Sequence, residues 1–454
     1  IGFLIWYWPA PEGVKPIAWH LLAIFVTTIM GFILQPFTNG VIAFMSITFT
    51  ILVGVLKPAE ILSGFGNTTL WLIVSAFLFS RGFINSGLGR RVAYLLIRAF
   101  GDSTLKLGYV LVLSELIFSP AIPSNTARIG GIIYPIVRSL SSAFGSEPGK
   151  DSRKIGAYLI QTSYQGCTNT SAMFMTAQAG NPLMAFMAAK AINVDLTWGM
   201  WAIAAVPPGL IALAVIPYLL YKFYPPEIKK TPEAKELASA ELGKMGPMSS
   251  AEKIVVAIFS GAIIAWSTSQ FTGVDATAVV MCAICVMLGT GILTWNDVLT
   301  EKGAWDTLIW MGSTMALADY LAKLGLIAAL AGKASAAISG LPWTVTLLVL
   351  VLVYVYSHYM FASGVAHILA LYAAFITVGV AAGIPPYLIA LSLAVASSLY
   401  QGLTHYASGQ SPIFFGAGFI DQKTWWRIGF AVCTVSVLIW GSFGPLWWKL
   451  LGLW

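Results

Sequence analysis

TLKLGYVLVLSELIFSPAIPSNTARIGGIIYPIVRSL, residues 104–140, sets the frame for the whole chain. Two apolar limbs, 104–122 and 126–140, flank the polar tip Pro123-Ser124-Asn125-Thr126, and neither limb is one clean crossing of about 20 residues. The pattern predicts a re-entrant hairpin, a helix pair that enters a membrane and returns to its own side. Residues 341–380 repeat it around Ala362-Ser363-Gly364. Outward from these hairpins, apolar segments fill 16–34, 40–56, 69–83, 155–190 and 198–224, then 254–271, 276–293, 307–320, 387–403 and 425–446.

The composition agrees with a bilayer environment. Of 454 residues, 58% are hydrophobic and only 9% charged, and mean hydropathy is +0.82. Soluble proteins carry roughly 25% charged residues. Recurring apolar runs of this kind exclude a nucleic-acid binder, a disulfide scaffold and a disordered chain, and predict an all-α polytopic membrane protein. Cys167, Cys282, Cys285 and Cys433 lie inside apolar segments. The C-x-x-C spacing of Cys282 and Cys285 has neither a second pair nor a nearby histidine, so no metal and no redox cofactor is expected.

An internal repeat is visible. Ala23-Ile24-Phe25 recurs as Ala257-Ile258-Phe259, and Thr69-Leu70 as Thr307-Leu308. Ser124 to Arg128 aligns with Ser363 to His367, and Tyr164-Gln165-Gly166 with Tyr400-Gln401-Gly402, all at offsets of 234–239. Each repeat is read as two spans, a bent helix, a hairpin, a broken helix and a last span. Five crossings is an odd number, so the repeats are inverted, as in many secondary transporters. The expected divisions are the end of a truncated first span in 1–15, a first repeat in 16–224 with its broken helix at 155–190, a solvated cytoplasmic linker in 225–253, and a second repeat in 254–454 with its hairpin at 341–380 and broken helix at 387–415. This topology places 17 of the 25 basic residues on cytoplasmic segments, as membrane insertion favours. Trp425, Trp426, Trp447 and Trp448 are read as interface anchors.

Irregular backbone at membrane depth survives only where protein or a cavity surrounds it, so tips and breaks are the candidate binding positions. A helix restarting after a break offers free N–H groups and a positive dipole end to an anion. The candidates are Ser124, Asn125, Thr126, Arg128, Thr168, Gln178 and Asn181 in the first repeat, and Ser363, Gly364, His367, Thr404, His405, Ser408 and Gly409 in the second. Arg128 either contributes charge to a ligand or pairs with Glu115, since an intramembrane charge is costly to leave alone. Arg81 and Asp319 occupy matching positions and are read as ion-paired, with each other or separately. An intramembrane enzyme is disfavoured by the lack of H-E-x-x-H, facing aspartates or G-x-S-x-G, and a channel by the lack of a filter sequence.

With the SNTAR and FASGVAH tips, SLYQGLTHY at 398–406, SNTARIGGIIYPI at 124–136 and the closing GPLWWKLLGL, the chain resembles the divalent anion:sodium symporter family along essentially its whole length. The likeness is strongest to the dicarboxylate exchangers of bacterial inner membranes and plastid inner envelopes. The resemblance implies an elevator-type transporter, a homodimer in the lipid bilayer with a static scaffold and a mobile domain carrying the hairpins. It carries substrate binding over to Ser124, Asn125 and Thr126. It implies exchange of 2-oxoglutarate, malate and succinate, with a sodium-coupled dicarboxylate or sulfate symporter as the alternative. The second tip departs from the sodium-coupled pattern, with Ser363-Gly364-Val365 in place of a second Ser-Asn-Thr. Fixed charge from Arg128, His367 or His405 could stand in for sodium, and an empty carrier left with buried cations would be slow to reorient.

Overall fold

The computed structural model describes residues 1–11, 13–326 and 342–454. Lys333 and the first residue of the expected second hairpin lie outside them. Among the described residues, seven helices are long and apolar enough to cross a membrane. In the first repeat the order is α1 (Pro16–Leu34), α2 (Asn39–Leu52), α3 (Thr68–Ser86), α4 (Leu88–Phe100), then the hairpin limbs α5 (Thr104–Phe118) and α6 (Tyr134–Ala143), the broken pair α7 (Gly156–Met173) and α8 (Gly180–Ile192), and α9 (Trp198–Phe223). After α10 (Glu233–Met245) the series recurs as α11 (Ser250–Ser267), α12 (Ala276–Gly289) and α13 (Lys302–Lys323). The hairpin limbs α14 (Trp343–Tyr356) and α15 (Ala373–Ala381), the broken pair α16 (Pro386–Leu399) and α17 (Ser411–Gly416), and α18 (Gln422–Leu450) complete it. The second limb of each hairpin carries a π-helical stretch near its start, Thr126–Ile133 in the first and, after one α-helical turn at Gly364–His367, Ile368–Tyr372 in the second, a distortion common at functional sites.

Two groups of helices result. In one, α13 packs on α1, α2 and α3, and α12 on α3. In the other, α7 packs on α5, α9 and α16, while α18 packs on α9 and α16. Every residue of α7 is buried, so the broken helices form the centre of the second group. By contrast α11 keeps most of its apolar surface outward, as a lipid-facing helix does.

Inside α9, Pro207 and Pro208 remove the N–H groups that would serve the carbonyls of Ile203 and Ala204. The indole nitrogens of Trp447 and Trp448 in α18 donate to these two carbonyls, at 2.8 and 2.9 Å. Trp447 and Trp448 therefore act on protein backbone. Trp425, packed against Tyr164 and Phe415, and Trp448 are buried, so the reading as interface anchors is corrected for these two, while the half-buried Trp426 donates to His405.

The linker reading also needs correction. Ala234, Ala238 and Leu242 make a buried stripe at i, i+4 and i+8 that docks α10 on α4. Composition marked the segment as polar and concealed this face. Arg91 of α4 anchors the end of the linker, donating to Glu252 at 2.6 Å and to the carbonyl of Gly246 at 2.9 Å. Arg81 and Asp319 form separate ion pairs, the first with Asp297 and the second with Lys190 and Lys323.

Candidate functional site

The first tip is held from beneath by Arg128. Its side chain is fully buried, and its Nε donates to Glu115 at 2.6 Å across the hairpin. One terminal nitrogen donates to the carbonyls of Ile122 and Ala177, and the other to Asn125 Oδ1 at 3.0 Å and Ser171 Oγ at 3.1 Å. All five N–H groups are thereby engaged. The Glu115 carboxylate cancels the charge that the sequence reading offered to a ligand. Arg128 is thus a positioning residue, joining the tip to both ends of the break after α7.

Asn125 is the side chain so positioned. Its oxygen accepts from Arg128 and from Ser171 at 2.9 Å, which directs its amide nitrogen toward Gln401 Oε1, 3.3 Å away in the other repeat. Ser124 accepts from the Ala127 N–H as a local cap. Thr126 is exposed, and its hydroxyl lies beside Gly409, where a β-carbon on that glycine would crowd it.

Gln401 sits where the repeats meet. Its Nε2 donates to Gln178 Oε1 at 2.7 Å and to the Ser397 carbonyl at 3.0 Å, and its Oε1 also faces Gln410. Gln178 donates in turn to Asn181 and to Ser398, both at 2.8 Å. Asn181 closes the first break by donating to the carbonyls of Ser171 and Phe174. The repeat mate of Gln401 behaves alike, since Gln165 donates to the Gly402 carbonyl and Tyr164 to the Gln401 carbonyl. The second tip reaches the same place: Tyr400 donates to the Gly364 carbonyl, and Gly364 lies against the Gln401 side chain. Both tips therefore end at the helix breaks in the middle of the molecule, the geometry of re-entrant hairpins.

The candidates consequently divide. Asn125, Gln178, Asn181 and Gly364 converge, with Thr126 and Gly409 adjoining one another. Ser363 caps its own helix turn by accepting from Ala366. Ser408 bonds Ser411, and both hydroxyls face Tyr164. Thr168 turns back to the carbonyl of Gln165, and Thr404 is buried with its hydroxyl unpartnered. His405 accepts from Trp426 at 3.0 Å, which leaves the proton of the neutral ring on Nε2. His367 is buried with its Nδ1 3.0 Å from Nδ1 of His358. Sequence reasoning passed over Gln401, Gln165 and His358 as site residues, whereas the pairing of Arg128 with Glu115, one of its two readings, is the one found. The duplicated Tyr-Gln-Gly was the available signal for the two glutamines.

Asn125→Ala removes a donor from this centre, and Thr126→Ala removes the exposed hydroxyl beside it. Each is expected to weaken ligand binding by roughly 1–3 kcal/mol, about 5-fold to 150-fold, with the protein still monodisperse. Calorimetric titration of the purified variants checks this, and wild-type affinity would make the tip a helix cap only.

Comparison with known proteins agrees with this architecture. Residues 1–454 match the family model for the sodium:sulfate symporter transmembrane region. A Bacillus subtilis protein named as a candidate malate transporter, YflS, is 50% identical over 100% of this chain and 95% of its own length. Dicarboxylate transporter 1, chloroplastic, of Arabidopsis thaliana is 46% identical over 100% of this chain and 82% of that protein. Inner membrane protein YbhI of Escherichia coli is 39% identical over 100% and 96%. Among solved structures, the Alcanivorax borkumensis YdaH transporter superposes with a TM-score of 0.61 at 13% identity, covering 89% of this chain and 88% of that one, a likeness of fold. With paired hairpins meeting at paired breaks and a family match along its entire length, the chain belongs to the divalent anion:sodium symporter family and is a multi-pass membrane transporter, not an enzyme.

Proposed function

We propose that this protein exchanges dicarboxylates of the 2-oxoglutarate, malate and succinate class across its membrane without sodium. The observation that carries the reading is the convergence of Asn125, Gln178 and the second tip on Gln401, a centre built from amides, hydroxyls and backbone. Such groups suit two separated carboxylates, and the relatives named for malate and dicarboxylate transport point to the same substrates. Sodium independence is supported by Ser363-Gly364-Val365 at the second tip, which lacks the paired Ser-Asn-Thr of the first. Arg128 does not furnish a charge that enforces exchange, so exchange rests on the resemblance to the exchanger branch.

In this proposal 16–224 and 254–454 are the inverted repeats joined by 225–253. The group built on the hairpins, α7, α9, α16 and α18 moves as an elevator against the group of α1–α3 and α11–α13, in a homodimer. The contact pattern within each group supports the division. Liposomes loaded with malate are expected to take up labelled 2-oxoglutarate in choline buffer, and unloaded ones to take up little. A second reading, sodium-coupled dicarboxylate or sulfate symport, is favoured by the name of the matching family model. Strong sodium-driven uptake into unloaded liposomes would establish it and overturn exchange.

A further inference from the structure

Behind the second tip two buried imidazoles are joined nitrogen to nitrogen. Nδ1 of His358 and Nδ1 of His367 are 3.0 Å apart, a contact that needs a proton on one of them and a lone pair on the other. The outer nitrogens are also engaged: His358 Nε2 lies 2.9 Å from the Ala407 carbonyl, an acceptor, and His367 Nε2 lies 3.3 Å from Ser357 Oγ. Ser357 Oγ is in turn 3.0 Å from the Tyr354 carbonyl, a second acceptor.

Counting hydrogens along this line is decisive. Four contacts, Ala407 to His358, His358 to His367, His367 to Ser357 and Ser357 to Tyr354, each require one proton. Two neutral histidines and one hydroxyl supply only three. In the neutral state Ser357 must turn its hydrogen to His367 and give up Tyr354. One added proton satisfies all four at once: both Nε2 atoms carry hydrogen, the Nδ1 atoms share one, and Ser357 donates to Tyr354. The two states differ by one proton and one hydroxyl rotation.

The surroundings decide when that proton can stay. Tyr400 stacks on both imidazoles, at 3.9 Å from His358 and 4.5 Å from His367, and Phe361 and Tyr354 flank His367. Ring faces attract a cation, but they do not neutralise it. Tyr354 and Tyr400 are the titratable side chains that touch the pair. Among the described residues no carboxylate bonds to a nitrogen of either ring, whose partners are Ser357, the Ala407 carbonyl and each other. Of the other helices packed on this limb, α1 has its His20 stacked on Trp6, and α8 has Lys190 paired with Asp319. A lone buried cation is costly, so the charge needs a partner that arrives from outside. His367 lies one turn after Ser363 and Gly364, and His358 is bonded to Ala407, next to Ser408 and Gly409. The pair thus backs both second-repeat elements of the candidate site.

We propose that His358 and His367 together form a binding site for a single proton, taken from water when a dianion occupies the adjacent tip and released when it leaves. This rests on the dicarboxylate reading above. Linkage makes the effect reciprocal, so proton uptake must strengthen dianion binding as pH falls.

The test is calorimetric titration of the purified full chain with fumarate, a dianion throughout the range used, from about pH 6.5 to pH 8.5. The expected result is an affinity that falls up to about tenfold for each pH unit, the limit for one linked proton. His358→Gln and His367→Gln each keep a donor and an acceptor but hold no extra proton, and each should bind fumarate with the pH dependence flattened. Wild-type affinity that is independent of pH overturns the proposal. So does His358→Gln with the full slope, which would place the proton on His367 alone. Absence of binding at every pH would overturn the dicarboxylate reading itself, and the proton site with it.

Discussion

Arg128→Gln is expected to destabilise the protein by roughly 3–5 kcal/mol and to abolish dicarboxylate binding, whereas Arg128→Gln combined with Glu115→Gln recovers most of the stability. The asymmetry follows from the pair's position. Glu115 is 1% exposed, and its carboxylate holds Arg128 at 2.6 Å and Thr170 at 3.0 Å, with its second oxygen unpartnered. Removing the guanidinium alone strands a buried anion and frees the carbonyls of Ile122 and Ala177. Removing both charges leaves two amides able to bond each other. Thermal unfolding of the single and double variants in detergent measures the coupling. Equal stability of the two would show that the pair does not hold the tip, and uncoupled uptake by the single variant would restore the charge role given to Arg128 by the sequence.

Gln401→Met carries the second large effect. The substitution keeps an unbranched side chain of similar length but leaves Gln178 Oε1, Asn125 Nδ2 and the Ser397 carbonyl without a partner among the bonds described above. Each unpaired buried group costs about 1–3 kcal/mol, so binding should weaken by about 100-fold or more, with transport lost in parallel. Gln165→Met in the first repeat should be milder, because that side chain bonds only Gln161 and the Gly402 carbonyl. Affinities from the same titrations would rank the two. A Gln401 variant that binds like wild type would remove the amide centre from the proposed site.

What could be read in advance depended on how local the signal was. The Ser-Asn-Thr tip announces itself because polar residues interrupt an apolar run, and the duplicated Tyr-Gln-Gly gave the repeat. The same three residues could not reveal that the two breaks face each other, since that is a fact of packing between helices 236 positions apart. Glu115 lies 13 residues before Arg128, on the opposite limb, so whether it cancels the charge depends on how the hairpin closes. The tryptophans of α18 fitted interface anchoring by position, and only the three-dimensional arrangement shows their indoles meeting proline-freed carbonyls. The Ala234, Ala238 and Leu242 stripe was hidden by the lysines and glutamates around it.

Those indole contacts also say something about how the protein is made. Ile203 and Ala204 lie in a helix synthesised well before α18, and the side chains that satisfy their carbonyls come 244 residues later. At about 5–20 residues per second the wait is roughly 10–50 s. Throughout it, α9 sits in or near the bilayer with two unsatisfied backbone acceptors, a condition tolerable beside water or the insertion machinery but not in bare lipid. The α9 helix of this transporter is therefore incomplete until α18 has been made, and the Trp447-Trp448 pair acts as a late keystone for a helix laid down 244 residues before it.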